Sequence, residues 1–251
     1  PFAVSRDTTK DSQNRFGLTS GDGWFAVRYS DGVTGPTIVA YDNDGNELGG
    51  GSGRIYPSVD IPELGGEGGN RGDPNDLEAV GNTLYITHWG IHRAGFLTTI
   101  HVGQEGLSVI KTVQFTESWS TFEHNADLGV DSAGNVIVMW QDQAWTRFQK
   151  DRWEVLARMF NADLEPLTPS FCLFQIGNNT DVDEIDPILG PGRTKQSRIA
   201  MNDSLIIAIA ETNNVPYGDP TSAANEMFTY TYIARLLKNP TYTPIHQWEL
   251  Y

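Results

Sequence analysis

The chain has a single cysteine, Cys172, in 251 residues. That excludes an internal disulfide framework and any multi-cysteine zinc site, and with Phe171, Leu173 and Phe174 around it a core thiol is its simplest role. Long apolar runs are missing too. None approaches the about 20 residues a membrane-spanning helix needs, and the longest, around Leu205 to Ala210, has the length of a strand. Basic residues are scarce: 17 Lys and Arg face 32 Asp and Glu, a net charge of -15. This sign opposes nucleic acid and anionic membrane surfaces and suits neutral or cationic ligands. Helical periodicity is absent as well. Arg147 to Phe160 comes nearest to it, but Val155, Ala157 and Met159 alternate as in a strand.

What the sequence does contain is a repeat. Four segments read RFGLTSGDGWFAVRY from Arg15, DLEAVGNTLYITHW from Asp76, DLGVDSAGNVIVMW from Asp127 and RIAMNDSLIIAIAE from Arg198. Each is a short alternation of apolar residues, a turn of Gly, Asn, Asp or Ser, and a second apolar run, the pattern of a β-hairpin. A second matching segment follows each, starting at Thr37, Phe96, Glu154 and Tyr230. The expectation is therefore all-β: a β-propeller of four four-stranded blades in one domain over 1–251. The repeats span approximately 14–60, 74–116, 124–176 and 196–251, with second strands starting near Trp24, Leu84, Val136 and Leu205. Four blades either form a complete ring, with Phe2 to Val4 pairing to the last blade, or part of a larger propeller completed by further blades or a second chain.

The third repeat, LGVDSAGNVIVMWQDQ followed by VLARMFNADLEPL, resembles the repeats of bacterial extracellular β-propeller proteins, in which a DxxGN turn, a VVxW strand and an A-R-F-x-x-G segment recur. The resemblance implies a propeller fold and export to the cell surface or medium. It assigns no activity. Pro1 is not an initiator, which also fits a processed, exported chain or one cut from a longer polypeptide.

Aligning the repeats puts Arg15, Asp76, Asp127 and Arg198 at one position, just before each first strand, where two acids and two bases would ring the mouth of a channel. Each Arg could neutralise a carboxylate and still leave donors and acceptors for a polar ligand. The same four charges could equally form an ion-pair belt that only spaces the blades. The ends of the second strands add Tyr29 and Asp31, His88, Trp89 and His92, Trp140 and Asp142, and Glu211 to that face. Aromatic rings beside carboxylates and guanidinium groups suit a sugar. Each residue also has a plain structural role available, with His88 satisfying a strand hydrogen bond and Trp89 and Trp140 capping the core.

Three functions follow from this face. It binds a glycan or another extracellular polymer; or it is a glycoside hydrolase or polysaccharide lyase; or it is an assembly module with no small ligand. Asp76 and Asp127 are the paired carboxylates that glycoside hydrolysis needs. A lyase would instead use His88, His92, His124 or Tyr29 as base, with Arg15 or Arg198 neutralising a uronate.

Calcium is the one cofactor the sequence raises. Asp181, Asp183 and Asp186, with Glu184, form a dense acidic cluster, and Asp42 to Glu47 resembles the start of a calcium loop but lacks the bidentate Glu at its twelfth position. A solvated loop and a hairpin turn are the respective alternatives. His88 and His92 are four apart, but at a strand end this does not aim both at one metal. The tripeptide Arg71-Gly72-Asp73, in a glycine-rich loop, and the glycosylation patterns at Asn178 and Asn202 are short enough to arise by chance.

Overall fold

The computed structural model describes residues 17–30, 36–64, 74–89, 94–116, 123–146, 149–176, 193–214 and 228–237. The chain divides into two compact units, Pro1–Glu117 with Val130–Gly134, and Ser118–Gly129 with Asn135–Tyr251. Among the described residues, apart from one helical turn, α1 (Pro57–Asp60), and two 3-10 turns, the regular structure is antiparallel sheet.

The first unit holds two sheets. One is β1 (Gly17–Gly21), β2 (Trp24–Ser30) and β3 (Pro36–Asp42); the other is β4 (Pro74–Val80), β5 (Thr83–Trp89), β6 (Gly95–Gly103) and β7 (Gly106–Gln114). In each, strands adjacent in sequence are neighbours in the sheet. The opening hairpins have two-residue loops, Asp22-Gly23 and Gly81-Asn82, fixed by the pairs Gly21↔Trp24 and Val80↔Thr83. Gly23 and Gly81 have φ of 81° and 56°, which loops this tight demand and glycine supplies without steric cost.

Alternation then decides which faces meet. Trp24, Ala26, Ile38 and Ala40 on one sheet pack with Leu77, Leu84, Ile86, Ile100 and Val102 on the other. Each leucine, isoleucine or valine so buried stabilises by about 1.5–3 kcal/mol. At the inner strands the contact is closer. A Cβ on Gly17 would meet the Leu77 side chain at 2.9 Å, and one on Gly21 would meet the Gly81 carbonyl oxygen at 2.4 Å. The Trp24 indole donates to that same carbonyl at 3.1 Å.

The second unit repeats this plan. β8 (Glu123–Val130), β9 (Val136–Thr146), β10 (Gln149–Phe160) and β11 (Phe171–Ile176) form one sheet, and β12 (Arg193–Met201), β13 (Leu205–Asn214) and β14 (Phe228–Leu237) the other. Ile137, Met139, Val155, Ala157 and Leu173 meet Ile199, Ile206 and Ala208. A glycine again allows the inner strands together, since a Cβ on Gly129 would lie 2.7 Å from the Met201 nitrogen and 2.9 Å from its Cβ.

Two expectations about the blades are corrected. The described part of the first sheet has three strands rather than four. After β3 only the bridges Tyr41↔Glu47 and Ile38↔Ile55 form. The intervening segment contains Gly49, Gly50, Gly51 and Gly53, with φ of 68° at Gly49 and 58° at Gly50, a backbone no regular strand accepts. It turns instead toward the β6–β7 hairpin, where Gly49 N–H donates to the Gln104 carbonyl at 3.0 Å and Leu107 N–H to that of Gly53 at 2.9 Å. In the third repeat the fourth strand begins at Phe171, not directly after the turn that follows β10. Pro166 supports only an isolated bridge to Phe160, because proline cannot donate to a ladder. The described part of the fourth sheet has three strands.

The glycine contacts predict a graded response. Gly129→Ala pushes a methyl into the Met201 backbone and should cost about 1–3 kcal/mol, as overpacking does. Gly51→Ala, where nothing lies within 4 Å, should be near neutral. Urea unfolding midpoints of the two variants check the contrast, and equal midpoints would refute it.

Candidate functional site

Of the four aligned charges, the three among the described residues lie inside their strands and not ahead of them as expected. Asp76 is inside β4, Asp127 inside β8 and Arg198 inside β12, while Arg15 lies outside the described residues, as do Asp31, His92, Asp181, Asp183, Glu184 and Asp186. The cause is that β4, β8 and β12 begin two to five residues before these charges. Asp142 and Glu211 fall in β9 and β13, and His124 in β8.

Asp127 is where the structure joins two repeats. It is buried, and its Oδ2 accepts from the Ile199 backbone N–H at 2.6 Å. Ile199 pairs with Ala208 in β13, so a carboxylate on the first strand of one sheet is anchored to the first strand of the next. The neighbouring Arg198 side chain is exposed. Within this unit Asp127 therefore approaches the Arg198–Ile199 backbone, and its visible work is to satisfy a buried amide.

The aromatic candidates differ in what they present. Trp140 and Tyr29 are buried at 1% and 4% exposure, so neither offers a ring face to solvent. The Tyr29 hydroxyl accepts from Arg54 Nη1 at 3.4 Å. Arg54 is bound at both ends of its fork by Glu47, at 2.6 Å each, and that hydrogen bonding raises its pKa. Trp89 is half-buried, its ring edge-on to Phe115 with centroids 5.7 Å apart. His88 is fully buried between Pro74 and Phe96 of the adjacent strands.

The acidic turn at Asp42 uses its own oxygens. Oδ1 accepts from the backbone of Asp44 at 3.0 Å and of Asn46 at 2.8 Å, and Oδ2 from the Asn46 side chain at 3.0 Å. These bonds, the Asn46 side chain first, lower the Asp42 pKa. Asn161 repeats the device, accepting from the backbone of Asp163 and Glu165. Among the described residues, no group of three or more His, Cys, Asp or Glu is placed to hold a metal ion.

One acidic side chain went unnoticed in the sequence. In Asp76-Leu77-Glu78, period-two alternation puts both acids on one face of β4 and buried Leu77 on the other. Cross-strand pairing sets Asp76 beside Thr87 and Glu78 beside Tyr85. Thr87 and Tyr85 are buried, so the half-exposed Asp76 and the exposed Glu78 stand at the rim of a dry patch. Glu78 can be reached by water, yet enough protein surrounds its carboxyl that desolvation, and then the charge of Asp76, raise its pKa. Desolvation also raises that of Tyr85. Arg28 was overlooked for the same reason: it alternates with Trp24 and Ala26 onto a buried face, at 5% exposure.

A carboxyl whose pKa is raised on folding favours its protonated form. Its stabilising contribution is present below its ordinary value of 4.5 and is lost as pH rises through the higher folded value. Glu78→Gln should therefore flatten stability against pH just above 4.5, and melting temperatures of both proteins across pH 4 to 7 check it. A second test concerns Asp127. Asp127→Ala strands the Ile199 amide and should cost about 1–3 kcal/mol, with faster hydrogen exchange at Ile199. Asp127→Asn, which keeps an acceptor, should cost less.

No protein-family model matches the chain, and no curated protein matches it. Among solved structures it is similar to a thermostable family-43 glycoside hydrolase (TM-score 0.49, 11% identity, 94% of this chain and 70% of that one). It is also similar to the Penicillium chrysogenum α-L-arabinanase complexed with arabinobiose (0.47, 11%, 89% and 62%), and to the xylan β-1,4-xylosidase of Bacillus halodurans (0.46, 11%, 91% and 42%). The chain thus spans less than two thirds of the last two. With each TM-score below 0.5, these likenesses carry nothing further.

Proposed function

We propose that the chain is a single β-propeller domain, exported from the cell, that hydrolyses glycosidic bonds in an extracellular glycan. The propeller reading is supported by four successive antiparallel sheets, each with its strands in sequence order. In each unit, first strands of consecutive sheets meet at a glycine.

The observation that carries the activity is the Asp76 and Glu78 pair on one face of β4. Glycoside hydrolysis needs one carboxylic acid to protonate the leaving oxygen and one carboxylate to activate water or attack the sugar. Desolvation and the Asp76 charge keep the proton on Glu78 to higher pH than an ordinary glutamate, as a general acid requires. Asp76 is the matching base or nucleophile. Asp127, tied to the Ile199 amide, is assigned to holding the strands.

Release of reducing ends from a panel of polysaccharides tests the proposal. Glu78→Gln and Asp76→Asn should each lower kcat by about 10²–10⁴, the usual worth of a positioned proton-transfer group, with the melting temperature at neutral pH little changed. Variants that turn over like the parent protein defeat the assignment. Glycan binding without turnover by the parent protein would instead support a binding module.

A further inference from the structure

Thr87 is fully buried, and its Oγ1 has no hydrogen-bond partner. A buried hydroxyl left so loses its bonds to water with nothing in exchange, and a valine would fill the same space without that loss. The residue directly opposite it is Asp76. Opposed residues on an antiparallel pair have Cβ atoms about 4.5–5.5 Å apart, so a rotation of the Asp76 side chain brings its carboxylate within reach of the hydroxyl. The next pair along the same face is Glu78 and Tyr85.

We propose that Thr87 is a positioning residue of this site, whose hydroxyl donates to the Asp76 carboxylate and fixes that charge beside Glu78. The inference rests on the assignment of Asp76 and Glu78 made above. Among the described residues of this unit, the charged or titratable groups around Glu78 besides Asp76 are three. β1, the strand packed beside β4, reads GLTSG and has none, but Arg28, paired with its Gly17, is buried with its guanidinium carbon 3.5 Å from where a Gly17 Cβ would lie, beside Leu77; β5 supplies Tyr85; and Lys111 lies on the same cross-strand row, through Thr99, three strand spacings or about 14 Å away. Asp76 is thus the anion best placed to govern the proton on Glu78, and what holds Asp76 governs it in turn.

The Glu78 carboxyl is followed directly by carbon-13 NMR titration of the intact chain, alongside the pH profile of turnover. Asp76→Asn should lower the Glu78 midpoint by removing the repulsion. Thr87→Val should move it the same way by a smaller amount, about half a pKa unit for a charge displaced by a few ångströms near the surface, and Thr87→Ser should restore it. The high-pH limb of turnover should follow these midpoints. Thr87→Ala takes the place of the valine variant if that does not fold. A Glu78 titration in Thr87→Val identical to that of the parent protein, or one that Thr87→Ser fails to restore, overturns the proposal. Full turnover in Glu78→Gln would overturn the catalytic assignment while leaving the titration result to stand, so the two failures are distinguishable.

Discussion

In both units the innermost strands of two sheets approach so closely that a methyl group would not fit between them. Gly17 and Gly21 make this possible against Leu77 and Gly81, and Gly129 against Ala200 and Met201. Everything further out depends on that approach. The interdigitated faces, Trp24 and Ala26 against Leu77 and Ile86, or Ile137 and Met139 against Ile199 and Ile206, can reach contact distance only because the inner strands are already together. Close packing also removes water from strand edges that need hydrogen-bond partners. The Asp127 carboxylate answers one such need by accepting from Ile199, and the Gly81 carbonyl, accepting from the Trp24 indole, answers another.

This explains how a conspicuous charge can serve packing while a plain one stands where its titration is shifted. Asp127 looks in the sequence like an equal partner of Asp76, yet it is buried and bonded to backbone. Glu78, which no motif marks, stands at a rim where desolvation and a neighbouring carboxylate act together to retain its proton. The difference lies in what each side chain faces after the sheets assemble.

The hairpins were legible because their cause is local. The turns at Asp22-Gly23 and Gly81-Asn82 need glycine conformations, and the alternation beside them sets register, so second strands were placed to within a residue. The ambiguous stretch ending at Phe160 proved to be β10, as the alternation of Val155, Ala157 and Met159 indicated. The starts of the first strands were not legible, since pairing carries β8 back to Glu123 and β12 back to Arg193, through polar residues that give no periodic signal. The missing fourth strand after β3 could have been foreseen from Gly49, Gly50, Gly51 and Gly53. In the site, burial of Trp140 and Tyr29 depends on the faces opposite them, which an isolated strand sequence does not reveal. Glu78 is legible in the sequence as a second acid in phase with Asp76, one alternation step along β4.

The turn built by Asp42 and its counterpart built by Asn161 achieve one shape with different residues. Gly45 has φ of 84° in the first, and Leu164 has φ of 56° in the second. Leucine pays about 1–2 kcal/mol for that conformation, yet here its side chain is buried, at 2% exposure, so packing offsets the strain. The two turns therefore fail in different ways under mutation. At Gly45 any side chain adds strain with nothing to offset it, whereas at Leu164 a change to glycine would relax the backbone and empty part of the core. Such repeats can lose all sequence likeness at a turn while keeping its geometry, which is how a chain of related sheets comes to look like unrelated segments.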